Sequence, residues 1–362
     1  MQDLLLQFNT TRAFSSKIAN AFTAEDATVQ HAEFASPLKW HLGHTTWFIE
    51  TLILSHCENY KVFNSHFNYL FNSYYNGIGE RVARDMRSFS RPSLQDIHRY
   101  RQHINARVSA NFDTLDEDQL TTLQIGIAHE QQHQELMLQD IRYNLTRHLS
   151  SEVFNRNYHN DINVLQDIPL PDGVFEFGQI KEQFGFDNEF PRHSQLLRGG
   201  TLTGNLVTNG EFLQFIDSGG YHKHEYWLDA GWSWIKQHSI TSPLYWHVFK
   251  DRWYEQTIKG DRKLDLAAPV TFISWYEAQA YAAYRGARLP TEFELEWAYK
   301  EGLPLGSAWQ WTSSDYNPYP GYTPYDGKIS EYNGKFMSGQ YVLKGASEYT
   351  PQGHSRPTYR NF

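Results

Sequence analysis

Helical periodicity fills about the first 150 residues of this 362-residue chain and then stops. Apolar residues recur at intervals of three and four, as at Ile97, Tyr100, Ile104 and Val108, which is the spacing of one helix face. After about Phe175 the pattern changes to short strand-like runs, turns, many glycines and prolines, and most of the tryptophans and tyrosines. The sequence therefore predicts two unlike domains. The second is an irregular α+β domain whose aromatic side chains fill the core between long loops.

Four helices are expected in the first domain, beginning near Leu4, Ser36, Ser93 and Thr122. Ser36 is predicted to cap the second helix, with Pro37 in the first helical position, where its missing N–H costs nothing. Ser93 and Asp96 have the spacing of a capping box at the start of the third helix. Four such helices, the first ending near Ala21, predict a four-helix bundle.

Domain boundaries follow from where the periodicity ends. We predict a helical domain over residues 1–150, a linker over 151–172 and the second domain over 173–362. Within the second domain, the clearest helical patterns are SWYEAQAYAAYRG and the shorter TEFELEWAYK. The remainder of that domain is expected to hold little regular secondary structure.

Composition excludes several classes of function. A formal net charge of −9 without a long basic run argues against a nucleic-acid partner. No apolar run approaches the roughly 20 residues that span a bilayer, and the first residues lack the pattern of a secretory signal. The single cysteine, Cys57, rules out an intrachain disulfide and any multi-cysteine metal site. We expect a cytoplasmic protein that acts on small molecules.

Two pairs of histidines indicate a metal site. His129 and His133 in HEQQHQELMLQDI are one helical turn apart and share a face, and His41 and His44 lie on the earlier aromatic helix. Two ligands from one helix and a third from another would suit iron, copper or zinc about equally. The same stretch matches the H-E-x-x-H pattern of zinc proteases, with Glu130 as general base. The extended protease signature does not follow it, which disfavours that interpretation.

Seven motifs in this order resemble the ergothioneine-biosynthesis sulfoxide synthases, and the resemblance covers nearly the whole chain. The members of that family are similar to a DinB-like helical bundle fused to a formylglycine-generating-enzyme-like domain, which is related to C-type lectins. The motifs are HLGHTTWF, FNSYYNGIGERVAR, HEQQHQEL, VTNGEFLQFIDSGGY, SWYEAQAYAAYRGARLPTEFELEWA, WQWTSSDYNPYPGY and YNGKFMSGQYVLKGAS.

The resemblance implies a mononuclear non-haem Fe(II) enzyme that uses O2. Its three histidine ligands would be His44, His129 and His133, with His41 as the rival for the first position because it lies one turn earlier. Such enzymes join a thiol sulfur to C2 of the imidazole of N-α-trimethylhistidine (hercynine) and leave the product as a sulfoxide. The acid that supplies a proton would be Tyr74 or Tyr75 of the SYYNG motif, and we favour Tyr75.

Substrate-binding residues also follow from the resemblance. Arg84 and Arg87 match arginines that hold the carboxylate of the thiol substrate, for which a guanidinium is well suited. Gln132 matches a residue that contacts the imidazole substrate, and Asn361 and Phe362 match residues that contact the betaine. An aromatic face is a suitable partner for a trimethylammonium group. Two nearby arginines are alternatives for the carboxylate: Arg81 and Arg91.

Several functional alternatives stay open at this point. The thiol is either cysteine or γ-glutamylcysteine, and the tyrosine pair resembles the branch of the family that uses cysteine. An ovothiol-type synthase that uses histidine, or a relative with a selenium donor, belongs to the same class. A formylglycine-generating oxidase would need a copper-binding cysteine pair in the second domain, whereas Cys57 lies in the first. A DinB-like thiol transferase or a carbohydrate-binding module would leave one of the two domains unexplained.

Overall fold

The computed structural model describes residues 2–145, 165–257 and 260–362. These residues combine helices and antiparallel sheets in two compact units. The first unit contains the described chain through Leu145 together with two later segments, Tyr325–Tyr332 and Tyr349–His354. The second unit contains the rest of the described residues. Among the described residues, no helix has both the length and the apolar content needed to cross a membrane.

The first unit is helical, with four long helices and one short one. The expected helices are present, and the last begins a few residues earlier than its predicted start near Thr122. The five helices are α1 Gln2–Ala19, α2 Leu38–Leu52, α3 Phe67–Phe71, α4 Leu94–Asn111 and α5 Glu117–Leu145.

Capping was predicted correctly for α4 and wrongly for α2. Ser93 and Asp96 form the expected capping box. At α2 the N-cap is Pro37, one residue later than predicted, and no side chain caps the helix. The Ser36 hydroxyl instead accepts a 2.9 Å hydrogen bond from Nη1 of Arg87. The Ser36 hydroxyl therefore binds Arg87, which is distant in sequence, and does not cap the helix as its local pattern predicted.

Helix α2 is the centre of the first unit. All of its residues except Thr51 are buried, and α1, α4 and α5 pack against it. A Cβ atom at Gly126 of α5 would lie 2.6 Å from Cδ1 of Ile49, which is closer than atoms in contact allow. Glycine at this position lets α5 approach α2 one turn before His129. The close approach brings the histidine-bearing parts of the two helices together.

The described residues of the second unit form seven strands in three antiparallel sheets. Strands β1 Ile168–Phe177 and β2 His193–Leu202 form a two-stranded antiparallel sheet, as do β6 Gln310–Asp315 and β7 Tyr341–Lys344. A three-stranded sheet has the order β3 Trp246–Phe249, β4 Arg252–Thr257 and β5 Gly260–Lys263. Residues 151–164 of the predicted linker lie outside the described residues, and residues 168–172 belong to β1.

The described part of the second unit also contains four α-helices: α6 Asn209–Asp217, α7 Asp229–His238, α8 Trp275–Tyr284 and α9 Glu292–Lys300. The two predicted helical patterns correspond to α8 and α9, whereas α6 and α7 were not singled out from the sequence. An aromatic cluster forms the core between these elements, as the composition indicated. Its largest buried members are Phe212, Phe215, Tyr221, Trp227 and Tyr281.

Candidate metal centre

Three histidines converge inside the first unit. His44 lies near the middle of α2, and His129 and His133 lie one turn apart on α5. All three rings are buried, and their ligand nitrogens lie within 4.8 Å of one another. Among the described residues, this is the group of histidine, cysteine and carboxylate side chains that is placed to hold a metal ion.

Hydrogen bonding orients the His44 ring toward its neighbours. Nδ1 of His44 lies 2.6 Å from the carbonyl oxygen of Phe71, which can only accept, so Nδ1 carries the hydrogen. Nε2 of His44 therefore presents a lone pair, and it lies 3.2 Å from Nε2 of His129. Two nitrogens bound to one ion at about 2.1 Å and about a right angle are roughly 3 Å apart. The donor spacing therefore fits a mononuclear centre.

The electrostatic surroundings keep the three imidazoles neutral. Burial lowers the pKa of His44, His129 and His133 well below the usual histidine value, and nearby histidines lower it further. Neutral imidazole is the form that binds metals. Three neutral nitrogen donors fit Fe(II), although they do not distinguish it from copper or zinc.

His41, the alternative to His44 as a metal ligand, makes different contacts. Its Nδ1 lies 2.8 Å from Nδ1 of His133, and its Nε2 lies 3.0 Å from Oδ2 of Asp140. Both ring nitrogens of His41 are therefore engaged with side chains. The structure groups His44, rather than His41, with the two histidines of α5.

Glu130 of the H-E-x-x-H pattern points into the helical core, away from a general-base role. Its carboxylate accepts hydrogen bonds of 2.8 Å from Arg12 and from Arg101, and one of 2.6 Å from Ser15. Burial alone would raise the pKa of Glu130, but the two guanidinium groups bring it down to about 2. A carboxylate committed to two buried cations joins α1, α4 and α5 and does not serve a metal-bound water.

Aromatic rings enclose the histidine cluster. The indole of Trp40 stacks on His44 with 4.7 Å between ring centroids and 8° between planes, and Trp47 lies 5.5 Å from the same ring. Phe48 lies 4.3 Å from His129. Such rings exclude water and hold the imidazoles in fixed orientations.

Tyr75 lies beside this aromatic enclosure. Its ring stacks on Tyr74 at 4.6 Å and lies 5.8 Å from Trp47 and 6.3 Å from Phe48. Its hydroxyl is buried, and the neighbouring hydrogen-bonding group is the side chain of Tyr74. Burial, followed by the neighbouring Tyr74 and Tyr332, raises the pKa of Tyr75 well above its usual value. The Tyr75 phenol therefore stays protonated, as a proton donor must.

The two predicted carboxylate-binding arginines lie in different environments. Arg87 is buried, with its guanidinium carbon 3.6 Å from the ring centre of Trp40, and its Nε has no partner among the described residues. Burial, and next the charge of Arg84, lowers the pKa of Arg87 to about 9. Arg84 is exposed and donates a 2.9 Å hydrogen bond to a backbone carbonyl oxygen. Only Arg87 thus lies against the indole that stacks on His44.

Gln132 is held by a residue from far along the chain. The hydroxyl of Tyr332 donates a 2.5 Å hydrogen bond to Oε1 of Gln132, and the Tyr332 ring lies 5.7 Å from His129. Tyr332 belongs to the segment Tyr325–Tyr332, which is part of the first unit. No local sequence pattern connects Tyr332 to α5, so its contact with Gln132 could not be predicted from the sequence.

Asn361 and Phe362 belong to the second unit. Asn361 forms an antiparallel bridge with Leu343, and its side-chain oxygen accepts a 3.0 Å hydrogen bond from the backbone of Phe362. The Phe362 ring stacks on Tyr316 at 4.3 Å and on Phe336 at 5.6 Å. Their predicted contact with a betaine stays a prediction.

The later part of the chain is similar to a known protein family. Residues 153–304 match the Sulfatase-modifying factor enzyme 1-like domain. The chain thus joins a helical unit that contains a three-histidine cluster to a segment that is similar to that domain.

The names of three similar proteins refer to hercynine or to ergothioneine biosynthesis. Hercynine oxygenase of Mycolicibacterium smegmatis is 27% identical over 92% of this chain and 89% of its own length. Hercynine oxygenase of Mycolicibacterium thermoresistibile is 27% identical over 92% of this chain and 85% of its own length. Ergothioneine biosynthesis protein 1 of Schizosaccharomyces pombe is 25% identical over 49% of this chain and 26% of its own length. The resemblance to the ergothioneine-biosynthesis enzymes is therefore confirmed: the chain is homologous to hercynine oxygenases over most of its length.

Proposed function

We propose that this protein is an Fe(II)- and O2-dependent sulfoxide synthase of ergothioneine biosynthesis, built on a DinB-like helical bundle and a formylglycine-generating-enzyme-like domain. It would join the sulfur of a thiol to C2 of the imidazole of hercynine and oxidise that sulfur to a sulfoxide. The observation that carries the proposal is the cluster of three buried histidines, in a chain homologous to hercynine oxygenase over 92% of its length.

His44, His129 and His133 would hold the iron through neutral nitrogens. With only three protein ligands, coordination positions remain open for substrates. When bound, a ferrous ion there supplies the redox chemistry by which O2 oxidises the two substrates. The aromatic rings of Trp40, Trp47 and Phe48 would keep bulk water from the reacting groups.

The overall reaction balances with one molecule of O2. Forming the C–S bond removes two electrons from the thiol and the imidazole, and forming the S–O bond removes two more from sulfur. O2 accepts these four electrons, so that one oxygen atom enters the sulfoxide. The other leaves as water with the two hydrogens released by the thiol and by C2 of the imidazole.

Tyr75 would supply a proton to reduced oxygen and so direct the reaction toward coupling rather than simple thiol oxidation. A raised pKa keeps its hydroxyl protonated, and its ring lies against Trp47 and Phe48 beside the histidine cluster. Tyr74, stacked on it, is the alternative donor. Its hydroxyl lies 3.4 Å from the backbone carbonyl oxygen of Tyr332 and is therefore already directed elsewhere.

We assign binding of the carboxylate of the thiol substrate to the buried guanidinium of Arg87. The exposed Arg84 would contribute to the same binding. An unpaired guanidinium N–H in a buried setting favours an anionic partner. Gln132, fixed by Tyr332, would hydrogen-bond the imidazole of the betaine without adding charge.

An anaerobic assay with Fe(II)-reconstituted protein tests the proposal. Hercynine and unmethylated histidine are each offered with cysteine or γ-glutamylcysteine before exposure to air, and products are identified by mass spectrometry. We expect a sulfoxide from hercynine, with cysteine the better thiol. A product only from unmethylated histidine would indicate an ovothiol-type synthase, and turnover without O2 would indicate a thiol transferase. Either result would contradict the proposal.

A further inference from the structure

We infer that His41 and Asp140 position the ring of His133 so that it binds the metal through Nε2. The three residues form the Asp140–His41–His133 chain, which runs from the surface of α5 across to α2 and back to α5. The inference rests on the metal site of the proposed function and extends it to two residues outside the ligand set.

The Asp140–His41–His133 chain consists of two short hydrogen bonds between mostly buried side chains. Oδ2 of Asp140 lies 3.0 Å from Nε2 of His41, and Nδ1 of His41 lies 2.8 Å from Nδ1 of His133. The side chain of His41 is 3% exposed and that of Asp140 is 14% exposed, so water competes little for these bonds. Asp140 is itself anchored, because its Oδ2 also accepts a 2.8 Å hydrogen bond from the backbone of Ser36.

The carboxylate of Asp140 determines which ring nitrogens of His41 and His133 carry a hydrogen. A carboxylate can only accept, so Nε2 of His41 must donate to Asp140. In a neutral ring the other nitrogen then carries a lone pair, so Nδ1 of His41 accepts from Nδ1 of His133. The remaining nitrogen of His133, Nε2, is left with the lone pair that a metal needs. The carboxylate thus selects the tautomer of a ligand two rings away.

The tautomer of His44 is fixed in the same way, but by a different acceptor. There a backbone carbonyl, that of Phe71, takes the Nδ1 hydrogen directly. His133 lies in the interior of α5, where helical hydrogen bonds already occupy the nearby carbonyl oxygens. A side-chain acceptor must therefore come from elsewhere, and His41 provides it from α2. His41 and Asp140 are positioning residues in this account, and neither is a ligand.

Metal affinity measures the effect directly. Loss of a hydrogen-bonded partner of a metal-binding histidine typically lowers metal affinity about 10- to 100-fold. We expect His41→Leu to weaken Co(II) binding to the metal-free protein by that factor in an anaerobic absorbance titration. His41→Gln should restore affinity to within about threefold, because its amide oxygen can accept from His133 while its NH2 donates to Asp140.

A matched control separates positioning from general loss of stability. Gln134, next to His133 in sequence, donates to the carbonyl oxygen of Thr11 and to the Ser15 hydroxyl, both on α1. Gln134→Leu should lower the melting temperature and leave the Co(II) affinity unchanged. If His41→Leu binds Co(II) as tightly as the unmodified protein, the inference fails. If both His41 variants lose the metal altogether while folded, His41 is a ligand and the inference also fails.

Nitrogen-15 NMR of the zinc-loaded protein provides a second readout. We expect His133 to be coordinated through Nε2, with its hydrogen on Nδ1, and His41 to carry its hydrogen on Nε2. Coordination of His133 through Nδ1 would overturn the inference. These measurements use metal alone, so a protein that binds metal as described but forms no sulfoxide would contradict the proposed function and leave this inference intact.

Discussion

The hydroxyl of Tyr332 donates a 2.5 Å hydrogen bond to Oε1 of Gln132, a residue separated from it by 200 positions in the chain. The bond fixes a side chain that lies next to His133 in sequence, and the Tyr332 ring also contacts His129. The segment Tyr325–Tyr332 is thereby part of the first unit, although it lies within the range predicted for the second domain.

Removing the Tyr332 hydroxyl should weaken binding of the imidazole substrate. In Tyr332→Phe the amide of Gln132 loses the donor that orients it, so we expect the KM for hercynine to rise about 5- to 10-fold, corresponding to about 1 kcal/mol. The KM for the thiol should stay within twofold. Gln131→Ala is the control, because Gln131 is paired with His354 instead. An equal rise in both KM values for Tyr332→Phe would argue against this role.

Tyr75→Phe should change the products without weakening the fold. The mutation removes a buried hydroxyl and keeps the ring stacked on Tyr74, so the free energy of unfolding should change by less than about 1 kcal/mol. We expect sulfoxide formation to drop by roughly 10²- to 10⁴-fold, the usual contribution of general-acid catalysis. Oxidised thiol should replace the sulfoxide in a product analysis by mass spectrometry.

Tyr100→Phe provides the converse control. The Tyr100 hydroxyl is buried and donates to Glu50, so its loss leaves a buried carboxylate oxygen with one partner fewer. We expect a loss of about 1–3 kcal/mol in stability with an unchanged ratio of sulfoxide to oxidised thiol. If Tyr75→Phe leaves that ratio unchanged, Tyr75 has no part in the mechanism.

The two arginines should contribute unequally to thiol binding. Arg87→Lys keeps the charge but loses the planar donors, and we expect the KM for the thiol to rise about 10-fold or more. Arg84→Ala should raise it less, because solvent screens an exposed charge. The KM for hercynine measured in the same assays is the internal control. A larger effect from Arg84→Ala than from Arg87→Lys would reverse the assignment.

Glu130 should govern stability in acid rather than catalysis. Its folded pKa of about 2 lies below the ordinary value of 4.5, so its contribution to stability is present above pH 4.5 and is lost as the pH falls toward 2. Glu130→Gln removes the anion that Arg12 and Arg101 share, and we expect a loss of roughly 3–5 kcal/mol at neutral pH. The variant should also lose less stability than the unmodified protein between pH 4.5 and 2.

Urea unfolding at several pH values measures these differences, with Co(II) affinity measured on the folded fraction. An unchanged stability at neutral pH would contradict the structural role of Glu130. Loss of metal affinity in a fully folded variant would reopen the protease-like interpretation of the H-E-x-x-H pattern.

Local sequence patterns predicted much of the helical unit. The capping box at Ser93 and the three-and-four spacing of apolar residues gave α4 correctly, because both depend on residues within one or two turns. Ser36 failed as a cap because Arg87, 51 residues away, takes its hydroxyl. Capping patterns include only residues near the helix end, so they cannot predict a partner so distant in sequence.

Site residues were harder to identify where the partners are distant in sequence. The one-turn spacing of His129 and His133 marked them as a pair, but spacing alone left His41 and His44 equivalent. The close approach of α5 to α2 at Gly126 and the carbonyl of Phe71 distinguish those two histidines in the structure. Asp140, two turns after His133 on the same face of α5, could have been found from the helical period.

The most direct test supplies iron-loaded protein with hercynine, cysteine and oxygen-18 gas and determines the product by mass spectrometry. We predict a C–S-coupled sulfoxide that carries one oxygen-18 atom, and no such product from His44→Ala, which should also fail to bind iron. The exposed residue His66 offers the control, since His66→Ala should behave as the unmodified protein does. Iron-loaded protein that consumes O2 with these substrates but forms no coupled, labelled sulfoxide would contradict the proposed function.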